Sequence, residues 1–191
     1  MKIGVLALQG NFAMHGKILE KIGIEPILVK YPSELDLIEG LVLPGGESTT
    51  MSILIERLDL NLPLKKFAAE YPVLGTCAGL ILMSKNVLKT NLFKLNLLNI
   101  EVERNGYGRQ VFSHSEQIVL NIGSKNYTIF GSFIRAPKIV AKGNNVKVLA
   151  TYKNSPVVVQ NGKHLGVTFH PELDNISILH EHIFLGQGAR S

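Results

Sequence analysis

The hydrophobic residues in the first half of the chain form short runs, each bounded by glycine, proline or a polar turn. Runs of this kind are typical of strands that are buried on both faces of a parallel sheet. The strands predicted in this way are 2–8, 24–30, 40–43 and 73–76. Since stretches with helical spacing separate them, we expect right-handed crossovers and a parallel sheet.

Helices are predicted between these strands from apolar spacing and from end signals. The first spans 12–23 and ends on a glycine. Its apolar positions are Met14, Ile18, Leu19 and Ile22. Further helices begin near Ser48 and at Cys77, and another precedes the strand 73–76, whereas Pro32 interrupts the pattern after the second strand.

The pattern changes at about residue 99 to strands separated by glycine, asparagine and lysine. The strands predicted there are 100–104, 117–122, 127–134, 146–152, 157–160 and 165–169. Turns at 144–145 and 161–162 indicate hairpins, and a last helix is expected over 176–185. Because no repeat or linker is visible, we predict one α/β domain over 1–191, with an antiparallel addition in its second half.

Composition narrows the class of protein. A chain of 191 residues with 46% apolar residues can bury a full core without staples. No apolar run approaches the roughly 18 residues that span a bilayer, and no cleavage site follows the first strand, so a cytoplasmic protein is expected. The single cysteine, Cys77, excludes a disulfide framework and a cysteine-based zinc site.

The charge distribution is uneven. The formal net charge is +5, and the segment 117–171 contains no acidic residue but six lysines and Arg135. These residues are scattered through predicted turns and lack the interleaved aromatic residues on which bases stack. We therefore expect no nucleic-acid binding, and a protein partner with acidic loops remains open.

The segment 75–79, Gly-Thr-Cys-Ala-Gly, stands where a predicted strand becomes a helix. It has the form of a nucleophile elbow, in which small residues flank a strained central residue. The helix that follows favours the thiolate form of Cys77. The alternative is a buried structural cysteine, which is a common fate of a lone cysteine.

The segment 169–172, Phe-His-Pro-Glu, directly follows the last predicted strand. Residues two apart in extended backbone point to the same side, so His170 and Glu172 can act as a base and its orienting acid. The segment alone could also be an ordinary turn. Since both segments fall at the carboxyl ends of strands, where open α/β sheets bind ligands, a triad of Cys77, His170 and Glu172 is expected.

The segment 44–48, Pro-Gly-Gly-Glu-Ser, lies between another strand and helix. Consecutive glycines let backbone N–H groups face a ligand, and a helix N-terminus favours negative charge, so the segment can form an oxyanion hole. It can also be a strand-to-helix turn with Ser48 as the N-cap, and both interpretations can hold at once.

These segments resemble the glutaminase subunits of pyridoxal 5'-phosphate synthase, a family of class I, triad-type glutamine amidotransferases. The similarity runs nearly end to end. The matching segments are 8–10, 44–50, 75–79, 104–105, 108–110, 133–137 and 169–173. The chain departs from the family at Asp174, where threonine is common, which we expect to affect a loop or a partner surface and not the triad.

The resemblance implies a three-layer α/β/α fold with a mostly parallel central sheet. It also implies that Cys77 is the nucleophile, His170 the general base and acid, and Glu172 the residue that orients His170. The glutamine-binding residues that it implies are Gly46, Glu47, Ser48, Arg104, Ile134 and Arg135. The region of Gly46 and the amide of Ala78 would then donate to the oxyanion. Arg104 suits a free carboxylate, whereas Arg135 could also be a solvated strand residue.

The implied reaction is hydrolysis of L-glutamine to L-glutamate and ammonia through a thioester on Cys77, with neither a metal nor a cofactor. The resemblance implies that the ammonia reaches a (β/α)8-barrel synthase subunit in a large hetero-oligomer, for vitamin B6 biosynthesis. Two alternatives of the same class remain, the glutaminase subunit of another amidotransferase and a free-standing γ-glutamyl hydrolase. A third is a non-enzymatic binding module, against which an intact triad argues.

Overall fold

Strands and helices alternate in the first half of the computed structural model, which describes residues 1–107 and 114–186, without the side chain of His114. The segment 108–110, which contributed to the resemblance, lies outside the described residues. The elements are β1 (Lys2–Leu6), α1 (Phe12–Lys21), β2 (Glu25–Val29), a 3-10 helix (Pro32–Leu37), β3 (Leu41–Leu43), α2 (Ser48–Arg57), α3 (Asn61–Glu70), β4 (Val73–Thr76) and α4 (Ala78–Met83).

The second half consists mainly of strands and ends in a short helix. The strands are β5 (Ser84–Val87), β6 (Leu98–Glu103), β7 (His114–Ile122), β8 (Lys125–Phe133), β9 (Lys138–Lys142), β10 (Lys147–Tyr152), β11 (Ser155–Asn161) and β12 (His164–Val167). The helix α5 (Ile178–His180) continues as a π-helical turn (Glu181–Leu185), so the helix predicted at 176–185 is present but irregular.

A seven-stranded sheet in the order β10-β11-β12-β4-β3-β1-β2 forms the centre of the fold. The five strands from β12 to β2 are parallel, and β10 and β11 continue the sheet in antiparallel pairing. The fold also contains two smaller sheets, which are the three-stranded sheet β5-β6-β9 and the hairpin β7-β8. The expected parallel sheet with an antiparallel addition in the second half is therefore confirmed.

The hydrophobic core lies on both faces of the large sheet. Leu41 and Leu43 of β3 pack with residues of α2, α3 and α4, while Val42 between them packs with residues of α1 and α5. This alternation is the consequence of strand geometry. The hairpin β7-β8 covers part of the second face through residues such as Ile118. The result is the three-layer arrangement that the resemblance implied.

Three local predictions were wrong or incomplete. The turn at 144–145 does not form a hairpin, because β9 pairs with β6 in one sheet and β10 pairs with β11 in another. The sequence pattern did not reveal the strands β5 and β9. In α1, Met14 is exposed and the neighbouring His15 is fully buried in its place. The hairpin at 161–162, between β11 and β12, is confirmed.

Candidate active site

Four neighbouring strands of the large sheet end at one edge, and the loops that follow them carry the residues identified from the sequence. These strands, β12, β4, β3 and β1, are parallel. The loops contain His170, Cys77, Gly46 and Gln9 in that order. Open α/β sheets bind ligands at this edge. The topology therefore brings the predicted nucleophile, base and glycine turn together.

Cys77 occupies a sharp turn between β4 and α4. Its φ of 47° lies in the left-handed region, and its backbone N–H donates to the carbonyl of Val167 at 2.9 Å, which fixes the turn against β12. The flanking glycines are needed because backbone approaches them closely. A Cβ on Gly79 would lie 2.7 Å from the carbonyl carbon of Leu43. The segment 75–79 thus has the geometry of a nucleophile elbow.

His170 lies between Cys77 and Glu172. Its Nδ1 is 2.7 Å from Oε1 of Glu172, and its ring interacts with the Cys77 thiol on the other side. Burial lowers the pKa of His170, but the hydrogen bonds and charges of Cys77 and Glu172 outweigh it and raise the pKa to about 10. Burial raises the pKa of Glu172, while the hydrogen bond from His170 and the nearby histidines bring it below its ordinary value. This pairing stabilises an imidazolium at His170, the proton donor that amide cleavage needs.

A cleft of about 270 Å³ opens over Cys77 and His170. It is lined by all six residues that were expected to bind glutamine, namely Gly46, Glu47, Ser48, Arg104, Ile134 and Arg135. Glu172 and Ala78 are buried and lie outside this lining. A larger groove of about 500 Å³ runs between the 3-10 helix and α3, but no cysteine or histidine lines it.

Glu47 and Arg104 form an ion pair in the cleft. Nη2 of Arg104 lies 3.0 Å from Oε1 of Glu47, and Nη1 donates to the Thr49 hydroxyl at 3.2 Å. Burial raises the pKa of Glu47, but hydrogen bonds from Thr50 and Thr49 and the charge of Arg104 bring it below its ordinary value. A guanidinium has five N–H donors, so Arg104 can bind a second carboxylate beside Glu47. The pair therefore offers one charge of each sign to an amino acid.

The glycine turn after β3 packs against both His170 and the segment after β1. A Cβ on Gly45 would lie 2.7 Å from Nδ1 of His170. The carbonyl of Gly45 accepts the backbone N–H of Asn11 at 3.1 Å, and the N–H of Glu47 donates to Oε1 of Gln9 at 2.7 Å. The alternative with Ser48 as the N-cap is wrong, because Glu47 caps α2 by accepting the N–H of Thr50.

The turns after β6 and β8 form the other wall of the cleft. Asn105 has a φ of 53° and Arg135 a φ of 48°, and such strained non-glycine residues cluster at functional sites. Ser132, at the end of β8, accepts the N–H of His170 at 3.0 Å. The carboxylate of Asp174 in turn accepts the backbone N–H and hydroxyl of Ser132 at 2.7 and 3.0 Å. Asp174 thus holds the loop that contains His170 and Glu172 against the wall of the cleft.

Two residues at the site were not expected from the sequence. Asn11, the N-cap residue of α1, donates from Nδ2 to Oε1 of Glu172 at 3.2 Å, and His15 lies four residues further along the helix with Nε2 3.4 Å from Oε2. Residues with this spacing share a helix face. A histidine beside an apolar helix position is the only local signal, and it does not specify a partner.

Comparison with known proteins decides the family. Residues 5–187 match the sequence model of the SNO glutamine amidotransferase family. The chain belongs to this family. Pyridoxal 5'-phosphate synthase subunit PdxT of Thermosipho africanus is 48% identical over 183 residues, covering 95% of this chain and 96% of that protein. The PdxT of Geobacillus kaustophilus is 49% identical over 174 residues, covering 91% of this chain and 88% of that protein.

Solved structures place the chain among glutamine amidotransferases as well. A glutamine amidotransferase crystal structure superposes with a TM-score of 0.89 and 36% identity, covering 98% of this chain and 99% of the other. PurLQS from Thermotoga maritima superposes with a TM-score of 0.67 at 18% identity, covering 97% and 98%, and shows a similar fold only. The resemblance inferred from the motifs and the predicted fold class are confirmed.

Two further observations concern what this SNO glutamine amidotransferase contains. Within residues 1–107 and 114–186, no group of three or more His, Cys, Asp or Glu side chains is arranged to hold a metal ion. In the same part of the chain, no helix is both long enough and apolar enough to cross a bilayer.

Proposed function

We propose that this chain hydrolyses L-glutamine to L-glutamate and ammonia, as the glutaminase subunit of a pyridoxal 5'-phosphate synthase. The observation that carries the proposal is the contact of Cys77 with His170 and of His170 with Glu172, at the base of a cleft that offers Glu47 and Arg104. Arg104 would bind the α-carboxylate of glutamine, and Glu47 its α-ammonium group. The side-chain amide would then extend toward Cys77.

The first half of the reaction forms a thioester. The Cys77 thiolate attacks the side-chain amide carbon of glutamine, and the carbonyl electrons move onto the oxygen. The backbone near Gly46 and the amide of Ala78 would stabilise this oxyanion. As the tetrahedral intermediate collapses, the C–N bond breaks, and the His170 imidazolium gives its proton to the departing nitrogen. Ammonia leaves, and the γ-glutamyl group remains on Cys77.

The second half releases glutamate. Neutral His170 takes a proton from water, and the resulting hydroxide attacks the thioester carbonyl. Collapse of this intermediate breaks the C–S bond, which regenerates the Cys77 thiolate beside the His170 imidazolium, and the γ-carboxyl group of the product then loses its proton to water to give glutamate. Glu172 stays anionic throughout and keeps Nδ1 of His170 in place, as the orienting acid of a triad does.

The proposed partner is a (β/α)8-barrel synthase subunit, which would receive the ammonia through a protein channel in a large hetero-oligomer. The proposal is supported by the relatives named as pyridoxal 5'-phosphate synthase subunits, which this chain matches over nearly the full length of both proteins. The six lysines of the segment 117–171 give it a positive charge that suits acidic loops of such a partner.

The test measures glutamate and ammonia from glutamine in a mixture of this chain with the synthase subunit. We expect turnover with the wild-type chain, a γ-glutamyl adduct on Cys77 by mass spectrometry, and no turnover with Cys77→Ser, which keeps the fold but lacks a reactive thiol. The synthase should form pyridoxal 5'-phosphate with glutamine only when the wild-type chain is present. Turnover that is unaffected by the synthase, without co-purification, would instead favour a free-standing γ-glutamyl hydrolase.

A further inference from the structure

The triad carboxylate is held from two sides, and only one of them belongs to the triad. Oε1 of Glu172 faces Nδ1 of His170 at 2.7 Å and Nδ2 of Asn11 at 3.2 Å. Oε2 points the other way, into the protein, where Nε2 of His15 lies 3.4 Å away. The side chains of His15 and Glu172 are both inaccessible to solvent. A buried carboxylate oxygen without a donor is costly, so the identity of the group at Oε2 matters.

A second buried histidine determines what His15 can offer. Nδ1 of His15 lies 2.9 Å from Nε2 of His180, which belongs to α5 at the other end of the chain. Burial lowers the pKa of His15 to about 4, although the charge of Glu172 opposes this, and burial also holds the pKa of His180 well below its ordinary value. Both rings are therefore neutral near pH 7, and each carries one N–H proton.

Two proton arrangements are possible for a neutral pair. In the first, Nε2–H of His180 donates to Nδ1 of His15, and Nε2–H of His15 points at Glu172. In the second, Nδ1–H of His15 donates to His180, and a lone pair on Nε2 of His15 faces the carboxylate. The second arrangement sets two electron-rich atoms against each other in a low-dielectric interior. The first supplies a donor to Oε2 of Glu172, a buried anionic atom that has no other hydrogen-bond partner among the described residues, and its cost is smaller, since it leaves Nδ1 of His180, a neutral nitrogen, without a proton for the backbone of Ile176.

We propose that His15 is a positioning residue of the glutaminase site, which donates from Nε2 to Oε2 of Glu172, while His180 fixes the tautomer of His15. This inference rests on the proposed function. With both oxygens engaged, the carboxylate cannot rotate away when His170 alternates between imidazolium and imidazole. The hydroxyl of Thr76, 3.2 Å from Nε2 of His15, accepts a share of the same N–H. Thr76 immediately precedes Cys77 in the chain. The His15 ring therefore contacts both the carboxylate of Glu172 and the residue next to the nucleophile.

A matched pair of variants separates positioning from packing. The amide nitrogen of glutamine reaches about as far as Nε2 of histidine, whereas that of asparagine reaches only the position of Nδ1. In the complex with the synthase subunit, we expect His15→Asn to lower kcat about 10-fold to 100-fold, with the KM for glutamine changed by less than about twofold. His15→Gln should restore kcat to within about threefold of the wild type. Equal losses in both variants, or none in either, would overturn the proposal.

Nuclear magnetic resonance of the histidine nitrogens tests the proposed hydrogen bonds, because it shows which nitrogen of His15 carries the proton, and it requires no turnover. In the wild-type chain labelled with 15N-histidine, we expect the proton of His15 on Nε2. The pKa of His170, which faces Cys77 and Glu172, should fall in His15→Asn and stay unchanged in His15→Gln. A proton on Nδ1 of His15 would contradict the proposal, even if His15→Asn failed to fold. Absence of glutamine turnover by the wild-type complex would count against the proposed function, while the tautomer would still report on His15.

Discussion

At the scale of single residues, the carboxylate of Glu172 is surrounded by three side chains. This carboxylate is buried. Its Oε1 accepts hydrogen bonds from His170 and Asn11, and its Oε2 faces His15. A glutamine in its place has the same shape but only one acceptor oxygen for donors that approach from both sides. The negative charge that supports the His170 imidazolium would also be lost. Glu172 therefore acts on the rate through its charge and its orientation.

We expect Glu172→Gln to lower kcat at least about 10-fold, because the imidazolium loses its stabilising partner. The alkaline limb of the rate profile, where His170 loses its proton, should move to lower pH. Steady-state kinetics across pH in the presence of the synthase subunit provide the measurement, with circular dichroism to establish that the fold is kept. A kcat within about twofold of the wild type, worth only ~0.4 kcal/mol in the barrier, would reduce the triad to a Cys77–His170 dyad.

At the scale of secondary-structure elements, the glycine turn after β3 sets the position of the His170 ring. A Cβ on Gly45 would approach Nδ1 of His170 to 2.7 Å and Cβ of Cys77 to 3.4 Å. The ring cannot retreat without breaking its bond to Glu172, since Pro171 and the contact of His170 with Ser132 fix the backbone behind it. The turn is therefore glycine because of what packs against it as well as for its conformation.

Gly45→Ala should reduce glutaminase activity by about 100-fold or more, because His170 must shift away from Cys77. Gly16→Ala is a matched control, since a Cβ on this helical glycine would meet only Cβ of Pro26 at 3.9 Å. The control should keep full activity and raise the free energy of unfolding by about 0.5–1 kcal/mol through helix propensity. Activity assays and denaturant unfolding of both variants test this, and a fully active Gly45→Ala would show that the ring is not held by the turn.

The parallel part of the fold was predictable from sequence because each buried strand is a continuous apolar run. The predictions at 40–43 and 73–76 correspond to the observed strands Leu41–Leu43 and Val73–Thr76. β9 was missed because only Ile139 among its residues is buried, which leaves no alternating pattern. The turn at 144–145 was misjudged because turn residues do not specify which sheet the next strand joins.

The site was predictable where short segments contain the whole chemical signal, as at Cys77 and His170. Asn11 and His15 were missed because their partner, Glu172, lies on a different element at the opposite end of the chain. His15 and His180 are 165 residues apart in sequence, so no local pattern relates them. Helical spacing placed Met14 in the core instead of His15, since a buried polar residue has no hydrophobic signature.

At the scale of the whole molecule, buried neutral histidines make stability depend on pH. Burial lowers the pKa of His15 and of His164 to about 4, and it also holds the pKa of His180 well below its ordinary value. In the unfolded chain these residues take up protons as the pH falls below about 6.5. The unfolded state therefore binds more protons than the folded state between about pH 6.5 and pH 4. The free energy of unfolding falls as the pH falls through this interval.

His15 alone should cost roughly 3 kcal/mol of stability by pH 4, from the difference between its folded and unfolded pKa. Denaturant unfolding at pH 7 and at pH 4.5 measures the effect of all these residues together. His164→Gln should reduce the pH dependence without loss of glutaminase activity, because His164 begins β12 at the edge opposite the cleft. Unfolding free energies that agree at the two pH values would contradict this account.

Assembly with the synthase subunit can change the glutaminase activity of the cleft. Ammonia released without an acceptor is lost, so a glutaminase that supplies a partner gains from low activity until it is docked. In this chain the N–H of Glu47 donates to the side chain of Gln9, and the carbonyl of Gly45 accepts the N–H of Asn11. Gly46, which lies between these two bonded residues, is exposed. A partner that contacts the segment after β1 can thus change the donors presented to the oxyanion by reorienting a glycine peptide.

We expect the isolated chain to hydrolyse glutamine slowly, and the synthase subunit to raise kcat about 10²-fold to 10³-fold, the value of one oxyanion donor. A titration of the chain with the synthase measures this. Gly46→Ala should blunt the activation, because a Cβ there would lie 3.1 Å from Cα of Gly10 and 3.2 Å from Cδ of Gln9 and would hinder the reorientation. Full activity of the isolated wild-type chain, unchanged by the synthase, would contradict this coupling and show that the oxyanion donors are already in place, and it would favour a free-standing γ-glutamyl hydrolase if the two chains also failed to co-purify.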